Sequence, residues 1–151
     1  MDSLGDAFPD SFKKSYAETS VTWGSVIALY DGEAEKLKYH VIVGFDDNKI
    51  LAATVRINSE INRNFYNRPE LVDLCHPISS DKIDFLDHDS FVACDKIIEW
   101  ERQAIVDLVN NDPKVVLGQL EIGELEIIQY KISTAVTISA KRKKKYGLFL
   151  K

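Results

Sequence analysis

Residues 39–57 read YHVIVGFDDNKILAATVRI, and two strands joined by a tight turn account for them. Tyr39 to Phe45 is β-branched and aromatic and reads as one strand. Asp46-Asp47-Asn48 follows, and these residue types suit a turn because they accept left-handed backbone and bond their own amides. Ile50 to Ile57 is then the next strand. Upstream, Val21 to Tyr30 has the same strand composition, and Asp31-Gly32 opens a polar loop running to Lys38.

Downstream, the polar stretch Asn58 to Pro69 carries Arg63 and Arg68 and predicts a mobile loop of a length that is often functional. Leu71 to Cys75 is a further strand candidate that His76-Pro77 breaks. Asp87-His88-Asp89 predicts a turn before Ser90 to Ile98, the longest strand candidate. The pattern then changes. Ala104, Ile105, Leu108 and Val109 follow helical spacing until Asn110-Asn111-Asp112-Pro113 stops the helix. Leu125, Ile128, Ile132, Ala135 and Val136 give a second amphipathic helix. Strands followed by helices predict a segregated α+β domain. Phe8, Phe12 and Tyr16 at spacing four predict a short helix within an N-terminal extension over residues 1–20.

Composition narrows the classes. With 45% hydrophobic and 28% charged content over 151 residues, the chain has the makings of one globular domain with its own core. Its longest apolar runs fall far short of the roughly 20 residues that span a bilayer. The opening residues, with Asp2 and Asp6, do not read as a signal peptide. Cys75 and Cys94 form no C-x-x-C pair, so a cytoplasmic protein without a cysteine metal site is expected. Residues 141–151 hold six bases and no acid, whereas the remainder holds 13 bases against 24 acids. The basic run Lys141 to Lys145 can interact with the dipole of the preceding helix or can attract phosphate. Any nucleic-acid function must rest on local patches of the acidic body. No phosphate-loop, nucleophile-elbow or dinucleotide-binding motif occurs.

Three segments carry a resemblance: Lys38-Tyr39-His40-Val41-Ile42-Val43, Asp89-Ser90-Phe91-Val92-Ala93-Cys94-Asp95-Lys96-Ile97, and the helices that follow. Over about residues 21–140 the chain resembles the PemK/MazF toxin family, with residues 141–151 as a basic tail. The resemblance implies an SH3-like small β-barrel with C-terminal helices. It also implies a homodimer that cuts single-stranded RNA without a metal or other cofactor and is held inactive by an antitoxin protein. Lys38 falls on the family's catalytic Arg and Tyr39 on the Pro beside it. The hydroxyl ending the family's third strand falls near Asn58 or Ser59. Asp95 matches the family's Asp, while Ala93 stands where some members have Arg. Arg56, Arg63 or Arg68 could supply the missing cation and contact RNA. His40, two residues from Lys38, shares its strand face and could carry a proton. Tyr39 could stack on a base or pack on the barrel rim. The departures at Lys38 and Ala93 also suit a barrel that kept the fold as a binding module, and a related family of the same architecture poisons a topoisomerase.

Overall fold

The computed structural model describes residues 10–149. The elements run α1 (Asp10–Ser20), β1 (Ser25–Asp31), β2 (Lys36–Phe45), β3 (Leu51–Asn58), α2 (Pro69–Val72), β4 (Cys75–Ile78), β5 (Ser90–Ala93) and β6 (Ile98–Glu101). Then come α3 (Arg102–Asn111), β7 (Val116–Gln119), α4 (Ile122–Thr134) and α5 (Ala140–Lys145). The domain is α+β, built on one antiparallel sheet ordered β4-β5-β3-β2-β1-β7, with β6 also paired to β3. The end strands β4 and β7 are not paired with each other among the described residues. They do line one cavity of about 610 Å³ together, against which Phe85 lies.

Both faces of the sheet are covered. Val26, Val41, Val43, Ala53 and Val55 bury against α4 through Leu125, Ile128 and Ile132, and against Tyr146 and Leu148 beyond α5. Ile27, Leu29, Ile42, Phe45 and Ala52 bury on the other side with Ala17 and Val21 and with Ile105, Val106 and Val109 of α3. Successive residues of β1 and β2 therefore alternate between two apolar environments. That is why these strands read as continuous hydrophobic runs rather than as apolar-polar alternation.

The central hairpin forms as its residues dictate. Asp46 Oδ1 accepts from the amides of Ile50 (2.8 Å) and Leu51 (3.0 Å), but the left-handed residue is Lys49 (φ 55°), not Asn48. In β2 the register with β3 shifts between Ile42 and Gly44. A Cβ at Gly44 would sit 2.5 Å from the backbone oxygen of Tyr146, so glycine is what lets the C-terminal segment reach the sheet.

Several sequence expectations change. The helix over residues 10–20 exists, yet it buries Ala17, while Phe12 and Tyr16 are exposed; Phe8 lies outside the described residues. His76-Pro77 lies inside β4, and Leu71 belongs to α2, which starts at Pro69 because proline's fixed φ suits a first helical turn. Ser90 to Ile98 divides into β5 and β6 with Cys94 to Ile97 between them. The basic run is a helix held to the fold: Lys143 is buried with Nζ donating to Ser133 O (3.0 Å), Arg142 donates to Ile97 O (3.2 Å) and Lys145 to Glu99 (3.1 Å). No helix among the described residues is long and apolar enough to cross a membrane.

Candidate functional site

The division of β5 from β6 makes a recess. β6 pairs Leu51 to Thr54 of β3 and β5 pairs Ile57 and Asn58, so Val55 and Arg56 face the gap between them. Cys94 is drawn away from β3 by its amide, which donates to Leu74 O at 2.8 Å. Asp95 and Lys96 are thereby set beside Arg56, and the cleft that results, about 470 Å³, is lined by Lys38, Arg56, Asn58, Ser59, Asp95 and Lys96 among others.

The cross-strand register places the cations. Tyr39 faces Ile57 and His40 faces Arg56, which brings Lys38 next to Asn58 on the same side of the sheet. Lys38 Nζ donates to Asn58 Oδ1 at 2.8 Å and makes no ion pair among the described residues. Burial, helped by Lys36 and Arg56, lowers its pKa. His40 shares that face but is fully buried beneath it. Its Nδ1 lies 3.2 Å from Thr54 Oγ1 and its Nε2 3.5 Å from Asp31. Burial pushes His40 down to about 4, outweighing the attraction of Asp31. A sealed, neutral imidazole cannot reach RNA, so the expected proton-carrying role at His40 is withdrawn.

Arg56 is committed too. Its Nε and Nη2 grip both oxygens of the buried Asp31 in a two-pronged pair, and Nη2 also donates to Glu33 at 3.2 Å. Burial raises the Asp31 pKa, but the Arg56 bond and the Ala34 amide prevail and hold it at about 2. Glu33, at the tip of the β1–β2 turn, accepts from Lys96 Nζ on both oxygens (2.7 and 2.6 Å). Lys96, Glu33 and Asp31 were not singled out from sequence, although Lys96 lies within the segment that carries the family resemblance.

Asp95 is nearly buried, and its Oδ1 accepts from the Tyr66 hydroxyl at 2.6 Å. Burial and that bond push the Tyr66 pKa well up, so the phenol remains a donor. Tyr66 thus anchors the loop expected to be mobile, and Phe65 beside it is 49% exposed and stands edge-on to it at 4.8 Å. An aromatic pair inside a polar loop is the signal that could have found them. Arg63 and Arg68 line a neighbouring groove on the far side of Tyr66 with Asn67 and Pro69, and Arg68 pairs weakly with Glu70 (3.5 Å). Tyr39 does not line the cleft; it packs against the α4-side core and stands edge-on to Phe85. Cys75 and Cys94 are buried thiols, raised to about 11 and 12 chiefly by burial.

Of the residues expected from sequence, Lys38, Arg56, Asn58, Ser59 and Asp95 line one cleft, Arg63 and Arg68 the adjacent groove, and His40 and Tyr39 neither. Compared with protein-family models and with curated proteins, the chain matches none.

Proposed function

We propose that this chain is a PemK/MazF-like protein with an SH3-like barrel, whose cleft binds and cleaves single-stranded RNA without a metal. The observation that carries the reading is the gathering of Lys38, Asn58, Ser59 and Asp95, distant in sequence, around one polar cleft. Among the described residues Lys38 is the lining cation that makes no ion pair, and exposed Phe65 offers a face on which an unpaired base can stack. Arg63 and Arg68 extend the path of the strand beyond Tyr66.

In this reading Asp95, oriented by Tyr66, takes the proton from a ribose 2′-hydroxyl. The 2′-oxygen attacks phosphorus, and Lys38, made more acidic by burial, protonates the departing 5′-oxygen. A 2′,3′-cyclic phosphate and a 5′-hydroxyl end result. The same reading carries a homodimer in the cytoplasm that an antitoxin protein inhibits.

A second reading is favoured by one observation. Arg56 is neutralised by Asp31 and Glu33 and His40 is sealed, which suits a cleft that binds without cutting. The experiment is incubation of an unstructured RNA with purified protein in chelator at neutral pH. Cleavage to cyclic-phosphate ends that disappears in Lys38→Ala and Asp95→Asn supports the nuclease. RNA that is bound and left intact supports the binding module, and RNA neither bound nor cut rejects both.

A further inference from the structure

Three carboxylates line the cleft, Glu33, Glu60 and Asp95, and of these the exposed Glu33 is the one that pairs with its cations. Lys38, Arg56 and Lys96 line the cleft from three separate segments, but two of these cations converge on Glu33. Both Glu33 oxygens are engaged by Lys96 Nζ, and Oε2 also accepts from Arg56. A carboxylate held by an ammonium and a guanidinium has the charge and the donor arrangement that a phosphate would take in the same place. Glu33 is 61% exposed and sits on a turn, so it can leave without opening the core. Asp31 differs, since it is buried, bonded to the amides of Glu33 and Ala34, and gripped by Arg56. Displacing Glu33 therefore leaves Arg56 anchored and its position intact.

We propose that Lys96 and Arg56 form a second phosphate subsite beside Lys38, which Glu33 fills in the free protein and vacates for the polyanion. The inference rests on the reading of the cleft as an RNA site. The acidic turn is a competitive plug: an incoming strand must exchange one phosphate for the Glu33 carboxylate, and short or weakly charged ligands are refused. Net charge in the cleft then rises at the moment the strand is seated.

The test compares wild type, Glu33→Gln and Glu33→Ala for binding of a labelled single-stranded RNA dodecamer and of inorganic tripolyphosphate, by fluorescence anisotropy and calorimetry. Thermal melts accompany each variant. The expected result is binding about tenfold tighter for both ligands in Glu33→Gln, a difference of about 1.4 kcal/mol. The slope of log affinity against log salt should steepen by about 0.7 for each cation freed. Adding Lys96→Ala to Glu33→Gln should cancel the gain. Equal tripolyphosphate and RNA affinities in wild type and both Glu33 variants would overturn the subsite. If RNA is bound equally by all while remaining sensitive to Lys38→Ala, the subsite fails and the RNA reading stands. If tripolyphosphate tightens but no variant binds RNA, the subsite stands and the RNA reading fails.

Discussion

The Tyr66 hydroxyl donates to Asp95 Oδ1 at 2.6 Å, joining a loop of polar composition to the turn between two strands. This bond holds one side of the cleft in place. Tyr66→Phe should remove the donor and leave a nearly buried carboxylate without it, a loss of about 1–3 kcal/mol in denaturant unfolding. Limited proteolysis should begin to cut between residues 58 and 69 in the variant. Unchanged stability together with unchanged protease resistance would show that Tyr66 does not secure the loop.

Gly44 should not tolerate a side chain. In Gly44→Ala the new Cβ meets the Tyr146 backbone oxygen at 2.5 Å, so the segment after α5 must shift. Overpacking of this kind costs about 1–3 kcal/mol, and each kcal/mol corresponds to about 2–4 °C for a domain of this size. The melting temperature is therefore expected to fall by several degrees. A melt that coincides with wild type would mean that the C-terminal segment is not tied to β2.

Acid should unfold the protein in two windows. An unfolded histidine titrates near 6.5, whereas His40 in the fold is held at about 4. Between those values the unfolded chain binds more protons, so stability is full above pH 6.5 and declines as pH falls toward 4, by on the order of 3 kcal/mol. Asp31 acts lower down: its carboxyl moves from 3.8 to about 2, and its stabilisation is present above 3.8 and lost as pH falls through 2. Urea midpoints at pH 7, 5 and 3 would record both steps, and His40→Gln should flatten the first. A wild-type midpoint that does not move between pH 7 and pH 4.5 contradicts the burial of a neutral His40.

Within the basic run, position matters more than charge. Lys143 is buried and bonded to Ser133 O, whereas Lys141 is exposed. Lys143→Ala should cost about 1–2 kcal/mol through lost packing of its stem and the unpaired carbonyl. Lys141→Ala should stay within about 0.5 kcal/mol of wild type. Equal effects in chemical denaturation would return the run to a uniformly solvated tail.

Much of the central sheet was legible because its strands are β-branched and aromatic runs bounded by turn residues. Spacing two put Lys38 and His40 on one face, and they do share it; whether the second residue meets solvent or core depends on Asp31, Trp100 and Thr54, which lie elsewhere in the chain. Lys38, Asn58, Ser59 and Asp95 could be singled out as polar residues beside strand ends that the family resemblance picked out. The interruption at Cys94 could not, since no Gly or Pro marks it and its cause is a bond to Leu74 O. β7 is four residues long and too short to stand out between Pro113 and α4. Spacing four at Phe12 and Tyr16 found the helix but not its covered side, because a stripe does not say which face is buried, and both residues are exposed.

The gap in pairing opposite Val55 and Arg56 also makes the fold forgiving at this place. A residue inserted between Cys94 and Ile97 adds length where no ladder fixes phase, so both flanking strands keep their inward and outward assignments. The same insertion within Leu51 to Thr54 would exchange the two apolar sides of β3 along the remainder of the strand. Variation in length is thus channelled into the rim of the recess, where ligand preference can drift while the scaffold holds still.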